Sequence, residues 1–219
     1  VTPYILRSEL REIGYETLEP KILNAVDYGV PQRRRRIIFI GYRKGLKAPK
    51  YPEPTVKPNE QVTLLEAIGD LVADPNKREE VNPCSSQFQM DSRQGRTPGI
   101  DGKPIKAKKM TNMELSKQTR IVRERFELFR PGESNANLKK RVLEQGIDIS
   151  REPELIAFCS EKLDMESNKV VELFKNAAAT KEQVEILLTK KNIRQRWAEN
   201  EPSATIVTIP DDYISPWEP

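Results

Sequence analysis

The sequence predicts an α+β chain: a short α/β segment comes first, then a mainly helical, loop-rich region that closes on a strand. Three observations carry this prediction. The β-branched run Ile37-Ile38-Phe39-Ile40-Gly41-Tyr42 follows a Gly/Pro break and reads as a buried strand. Several stretches between residues 116 and 191 repeat apolar side chains at helical spacing. Charged residues make up 32% of the chain and apolar ones 37%, with mean hydropathy −0.67, a balance that suits solvated helix surface and extended loops.

Each element has a local reason. Ile5, Leu6, Leu10 and Ile13 fall near helical spacing over residues 4–13, and Gly14 stands where a C-terminal cap belongs. Residues 17–25 then lead to the strand-like run. Prolines 49, 52, 54 and 58 remove too many backbone donors for a helix or central strand, so residues 48–58 read as an extended connector. Thr63 with Glu66 spells a capping box, starting a helix with Leu64, Leu65, Ile68, Leu71 and Val72 on its buried side. Residues 74–109 are poor in large apolar side chains and contain Arg93, Arg96, Lys103 and Lys106, which predicts a long basic loop. Helices follow over 116–129, 136–145, 152–163, 167–178 and 181–191, with caps at Ser116, Ser167 and Thr180. Residues 204–209 read as a strand closed by Pro210.

Composition excludes several classes. Two cysteines, Cys84 and Cys159, and no histidine argue against a disulfide framework and a conventional zinc site, so no metal is expected and a reducing, cytoplasmic setting is. No apolar run approaches the ~20 residues of a membrane span. The net charge of +4 and pI near 9.0 suit a polyanionic partner without requiring one. Val1-Thr2-Pro3 at one end and Ser215-Pro216-Trp217-Glu218-Pro219 at the other read as cut ends, so the chain is expected to be an internal piece of a longer protein.

Four consecutive arginines, Arg33 to Arg36, begin the strand-like run, and strand alternation would put Arg34 and Arg36 on one face and Arg33 and Arg35 on the other. Taken alone, such a run is a solvated basic patch. Its flanks say more. Asp27-Tyr28-Gly29-Val30-Pro31-Gln32 upstream and Ile37 to Arg43 downstream resemble the DNA cytosine-5 methyltransferase block built on Asp-Tyr-Gly-Val/Ile-Pro-Gln and Gln-x-Arg-x-Arg. In the same order, Tyr51-Pro52-Glu53-Pro54-Thr55 and Ala67-Ile68-Gly69-Asp70-Leu71 resemble that family's linker and following helix. Met110 to Pro131 resembles the start of the target-recognition region in bacterial members, although Met113 stands where many have histidine. Glu201-Pro202-Ser203-Ala204-Thr205-Ile206 resembles the segment that closes it, and residues 135–194 match nothing in the family pattern.

The resemblance implies a parent enzyme, of the kind found in restriction-modification, that flips a cytosine out of double-stranded DNA and transfers a methyl group from S-adenosylmethionine to its C5. It implies an edge of a Rossmann-like catalytic domain over 1–58, a target-recognition domain over 59–200 and a return strand toward the catalytic domain over 201–219. By position in the motif, Arg36 is the candidate for the flipped base, where a fork of donors can hold the cytosine O2. Arg34 would hold backbone or active-site geometry, Gln32 would support the loop, and Thr205 matches a threonine near the target phosphate. Arg93, Arg96, Lys103 and Lys106 are candidate DNA contacts on the basic loop.

The family's Phe-x-Gly-x-Gly cofactor loop and Pro-Cys-Gln nucleophile segment do not occur in this sequence. Pro83-Cys84-Ser85 follows the arginine motif instead of preceding it and has no visible base, so Cys84 reads as an ordinary loop cysteine and Cys159 as a packing residue. The chain alone is therefore expected to bind no cofactor and to be inactive. Two other readings stand beside this one: a non-catalytic, basic helical nucleic-acid-binding module, and a helical interaction domain. Apolar strand surface at a partial sheet predicts self-association.

Overall fold

In the computed structural model, which describes residues 2–71, 84–95, 100–103, 118–188, 195–206 and 213–215, residues 2–43 form two small ribbons and one α-helix. Helix α1 (Thr2–Glu12) ends at Gly14, whose φ of 86° lets its N–H turn back onto Arg11 O. Strand β1 (Tyr15–Thr17) pairs antiparallel with β5 (Gly41–Arg43), and β2 (Lys21–Asn24) pairs antiparallel with β4 (Arg35–Ile38).

The single buried strand expected over residues 37–42 is corrected in two respects. It is divided between β4 and β5, which have different partners, and it is not buried: Ile37 is 50% exposed and its cross-strand neighbour Ile22 is 58% exposed. No second layer among the described residues covers that face. The arginine run is also divided, since β3 (Gln32–Arg33) ends before β4 begins and Arg34 lies between them. Simple alternation across Arg33 to Arg36 therefore does not hold.

The proline-rich connector lies against these ribbons by accepting and donating at its few free groups. Tyr51, itself buried, donates its hydroxyl to Ile38 O at 2.8 Å, and Tyr28 donates to Pro52 O at 3.0 Å. The capping box forms as expected: Glu66 N–H donates to Thr63 Oγ1 at 3.2 Å and Thr63 N–H to Glu66 Oε2 at 2.8 Å, opening α2 (Leu64–Ile68). Its buried side is another correction. Leu64 and Ala67 face inward, whereas Leu65, Ile68 and Leu71 are 37–42% exposed and Val72 lies outside the described residues.

Within the expected basic loop stands a helix, α3 (Gln87–Gln94), capped by Ser86. Polar contacts dock it on α2. Gln89, 1% exposed, accepts from Ser85 N–H at 2.7 Å and donates to Leu65 O at 3.0 Å, while Arg93 binds the buried Asp70 at 2.6 Å. A helix attached by amide and ion pair carries no apolar stripe, which explains why periodicity misses it.

Five helices follow: α4 (Arg120–Glu127), α5 (Asn135–Gln145), α6 (Pro153–Leu163), α7 (Ser167–Lys175) and α8 (Lys181–Leu188). They enclose the main core, in which Leu138, Val142, Ile149, Leu155, Phe174 and Leu187 are fully buried. Buried Glu124 reaches from α4 to accept Leu155 N–H at 2.8 Å, satisfying an open donor at the start of α6. Arg125 donates to Leu187 O at 2.8 Å near the end of α8 and stacks over Phe158. Thr180 caps α8 reciprocally with Gln183, as expected; Ser167 is the first residue of α7 instead of its cap, and Ser116 lies outside the described residues. Gly146 closes α5 with φ 74°, and a Cβ there would sit 2.2 Å from Lys175 O, so no larger residue fits.

The module leaves and returns at one neck. Ser134 bridges Gln195, Gly132 N–H donates to Arg196 O at 3.0 Å, and Arg196 N–H donates to Glu133 O at 3.0 Å. Glu133 and Arg141, only 10% and 12% exposed, pair there at 2.8 Å. Strand β6 (Gln195–Arg196) pairs parallel with β8 (Tyr213–Ile214), sending Ile214 into the helical core. Of the strand expected over 204–209, β7 (Ser203–Ala204) is present and residues 207–210 lie outside the described ones.

Candidate functional site

The arginine motif is built on a tight turn. A 3₁₀ segment, Ala25–Tyr28, buries Val26 and ends on Gly29 with φ 82°, a conformation that favours glycine. Val30 N–H returns to Ala25 O at 3.3 Å. Asp27 fixes the turn from outside: its carbonyl accepts Thr55 and Val56 N–H at 3.0 and 3.1 Å, and its carboxylate accepts the Gln61 amide at 3.1 Å. The motif residues before the arginines thus hold the linker that follows them.

Strand β3 then pairs parallel with β7, registering Gln32 on Ser203 and Arg33 on Ala204. Ser203 donates both N–H and Oγ to Pro31 O, at 3.0 and 3.1 Å, and Thr205 Oγ1 donates to Arg33 O at 2.8 Å. Segments about 170 positions apart meet at this seam; the Ser203–Pro31 separation is 172. Beside it lies a cleft of about 210 Å³ bordered by Arg33, Trp197, Glu201 and Thr205.

All four arginines are exposed, but they are not equivalent. Arg33 is paired with Glu201 at 2.7 Å. Among the described residues Arg36 donates to its neighbour's carbonyl, Arg35 O, at 2.8 Å, and none pairs with the guanidinium of Arg34 or Arg35. Three permanent positive charges therefore stand together with no carboxylate of the described residues paired to them, a local field that attracts polyanions.

Of the sequence-predicted site residues, the structure brings together Gln32, Arg34, Arg36 and Thr205. Arg93 is not among them; its guanidinium, expected on a phosphate, is engaged by Asp70. Lys103 sits in an exposed turn and is not joined to the arginine seam by any contact between described residues, while Arg96 and Lys106 lie outside the described residues. Sequence reasoning missed Glu201, because nothing local announces a contact across 168 positions; it also missed the Glu133–Arg141 pair, eight positions apart, whose burial comes from packing at the neck. Cys159 is fully buried, and burial pushes its thiol up to about 11, so it is not a ready nucleophile. No helix among the described residues is long and apolar enough to cross a membrane.

The sequence profile for C-5 cytosine-specific DNA methylase matches residues 4–218, and the chain belongs to that family. Among similar curated proteins, the Type II methyltransferase M.XorII of Xanthomonas oryzae pv. oryzae is 52% identical over 59 residues, covering 26% of this chain and 13% of that protein. M.MthTI of Methanothermobacter thermautotrophicus is 51% identical over 61 residues, 27% of this chain and 17% of its own length. M.BsuRI of Bacillus subtilis is 52% identical over 69 residues, 28% and 15% respectively. The chain thus spans less than a fifth of each of these relatives. No solved structure matches it.

Proposed function

We propose that this chain is the part of a DNA cytosine-5 methyltransferase that grips the target strand and carries its recognition region, serving restriction-modification in a bacterial cytoplasm. The observation that supports this most directly is the trio Arg34, Arg35 and Arg36, exposed and without acid partners among the described residues, next to the seam where Thr205 returns. In this reading Arg36 holds the flipped cytosine through its donor fork, Arg34 fixes the strand backbone, and Gln32 keeps the loop in register. Thr205, whose hydroxyl donates to Arg33 O, stands next to a target phosphate, and Lys103 with the segments around Arg96 and Lys106 tracks the backbone.

The division into a Rossmann-like edge over 1–58, a recognition region over 59–200 and a return strand over 201–219 belongs to the same reading. It is supported by the exposed Ile22–Ile37 face, which a larger sheet would cover, and by the β3–β7 pairing. The same face supports self-association of the isolated chain. The methyl donor, S-adenosylmethionine, does not fit the residues present. The seam cleft and the open groove beside Tyr51 have no run of glycines on their walls, and the sequence has no Phe-x-Gly-x-Gly loop. Cofactor and thiol are assigned to other segments of the parent, and this chain alone transfers no methyl group.

The test is made in the complete enzyme with duplex DNA. Arg36→Ala is expected to slow methyl transfer by about a hundredfold or more, as loss of a donor aimed at reacting atoms does, and Arg33→Ala by far less. Equal losses from both would favour the rival reading, a generic basic nucleic-acid-binding module. The balanced charge of residues 120–188, with twelve Lys or Arg against thirteen Asp or Glu, already speaks against a basic helical surface.

A further inference from the structure

One short turn, residues 197–202, holds the seam from three sides. Leu64 N–H donates to Glu201 O at 2.9 Å and Leu65 N–H to Glu199 O at 2.8 Å, so donors left open at the start of α2 are satisfied by this turn. Glu201 meanwhile sends its carboxylate onto Arg33 Nη1 at 2.7 Å. Its carbonyl is anchored on a helix start while its side chain reaches into the arginine motif.

Arg33 is therefore gripped twice, at its carbonyl by Thr205 and at its guanidinium by Glu201. The next residue is the strand break. Arg34 belongs to neither β3 nor β4, and its only backbone anchor among these contacts is its carbonyl, which accepts Ala25 N–H at 3.0 Å. The direction of the chain through Arg34 is thus set on one side by Ala25 and on the other by the hold on Arg33.

We propose that Glu201 is a positioning residue for the arginine motif: through Arg33 it fixes the angle at which Arg34 and Arg36 meet the target strand. This rests on the reading of Arg34 and Arg36 as target-strand contacts. Glu201 does not touch the strand itself. The two side chains are 49% and 56% exposed, so the pair contributes little to stability. Its effect is geometric: loosening a group aimed at a reacting base lowers the rate, by up to the energy of the contact that held it in place.

The experiment measures single-turnover methyl transfer at saturating duplex, duplex affinity and thermal midpoint in the complete enzyme. The variants are Glu201→Ala, Glu201→Gln, Arg33→Ala, the Glu201→Ala/Arg33→Ala double and Arg36→Ala. Glu201→Ala is expected to slow transfer about two- to fivefold with midpoint and affinity unchanged, the range that an exposed charge pair supports. Glu201→Gln, which keeps an acceptor for Arg33, recovers part of that loss, and the double variant is no slower than the slower single. Wild-type rates for both single alanine variants beside a crippled Arg36→Ala overturn the positioning role alone. So does slowing that follows a lowered midpoint, or that multiplies in the double variant. An unimpaired Arg36→Ala overturns the reading of the motif, and the positioning role with it.

Discussion

The first seventy residues and the helical module between Arg120 and Leu188 bury their apolar side chains to very different extents. In the module fourteen apolar side chains are buried, and none of its large hydrophobics is exposed. Among the described apolar residues of the first region Val26, Tyr51, Leu64 and Ala67 are buried, while Tyr4, Ile5, Ile13, Ile22, Ile37 and Leu46 are half exposed or more. Charge follows the same division: residues 1–58 hold twelve Lys or Arg against six Asp or Glu, and the module is balanced. One region supplies its own core and has little net attraction for phosphate. The other carries the motif chemistry on a surface that its own residues leave uncovered. Excess positive charge and the buried core therefore reside in different parts of the chain.

That contrast can be broken most severely at the centre of the module. Phe174→Ala removes a fully buried ring and is expected to cost about 3–5 kcal/mol in urea unfolding followed by circular dichroism. A loss below about 1 kcal/mol, the scale of an ordinary substitution, would show that the core is too loose for the comparison to stand.

At the neck, Arg141→Ala strands a nearly buried carboxylate and is expected to cost about 3 kcal/mol at neutral pH. Burial alone would raise the Glu133 pKa, but the hydrogen bonds from Arg141 and the Arg130 N–H, with both positive charges, leave it below the ordinary 4.5. A lowered folded value means that this stability is fully present above about pH 4.5 and is lost as pH falls through the folded value. The gap between wild type and Arg141→Ala should therefore narrow on acidification below 4.5. A gap constant with pH would remove Glu133 from the account.

The smallest expected effect falls on the exposed ribbon. Ile22→Lys should change unfolding free energy by no more than about 0.5 kcal/mol, because the side chain gains little from burial. The same substitution should shift light scattering of the concentrated chain toward monomer. A wild-type chain that is already monomeric there would sink self-association.

How much of this was legible follows from the range of each contact. The Thr63–Glu66 box and the bounds of α5 and α6 could be read within one residue, because caps and i, i+4 spacing are local, whereas α7 ends at Lys175, short of the expected 178, and the last residues expected of α8 lie outside the described ones. The fifth helix, α4, starts later than expected, its predicted first residues lying outside the described ones. Helix α3 was invisible because Gln89 and Arg93 attach it with polar groups. The division of the arginine run at Arg34 was hidden too, since β3 takes its partner from β7, far along the chain. The motif named the family and the candidate arginines, but not which of them is already occupied. The Arg33 guanidinium is set apart from those of its neighbours by its pairing with Glu201, a residue with no local signal linking it to the motif.

The parallel pairing of β3 with β7 also has a kinetic consequence. Joining partners some 170 positions apart, as in the 172-residue Ser203–Pro31 contact, demands a larger loss of chain entropy than the packing of the helices between them, whose pairs such as α6 with α7 and α5 with α8 lie closer in the chain. Once the neck has closed at Ser134 and Gln195, the intervening loop is effectively shortened and β7 is delivered near the turn at Pro31. On this account the arginine motif is expected to acquire its register late in folding, after the module has condensed. A lesion deep in the helical core would delay assembly of a site that it never touches.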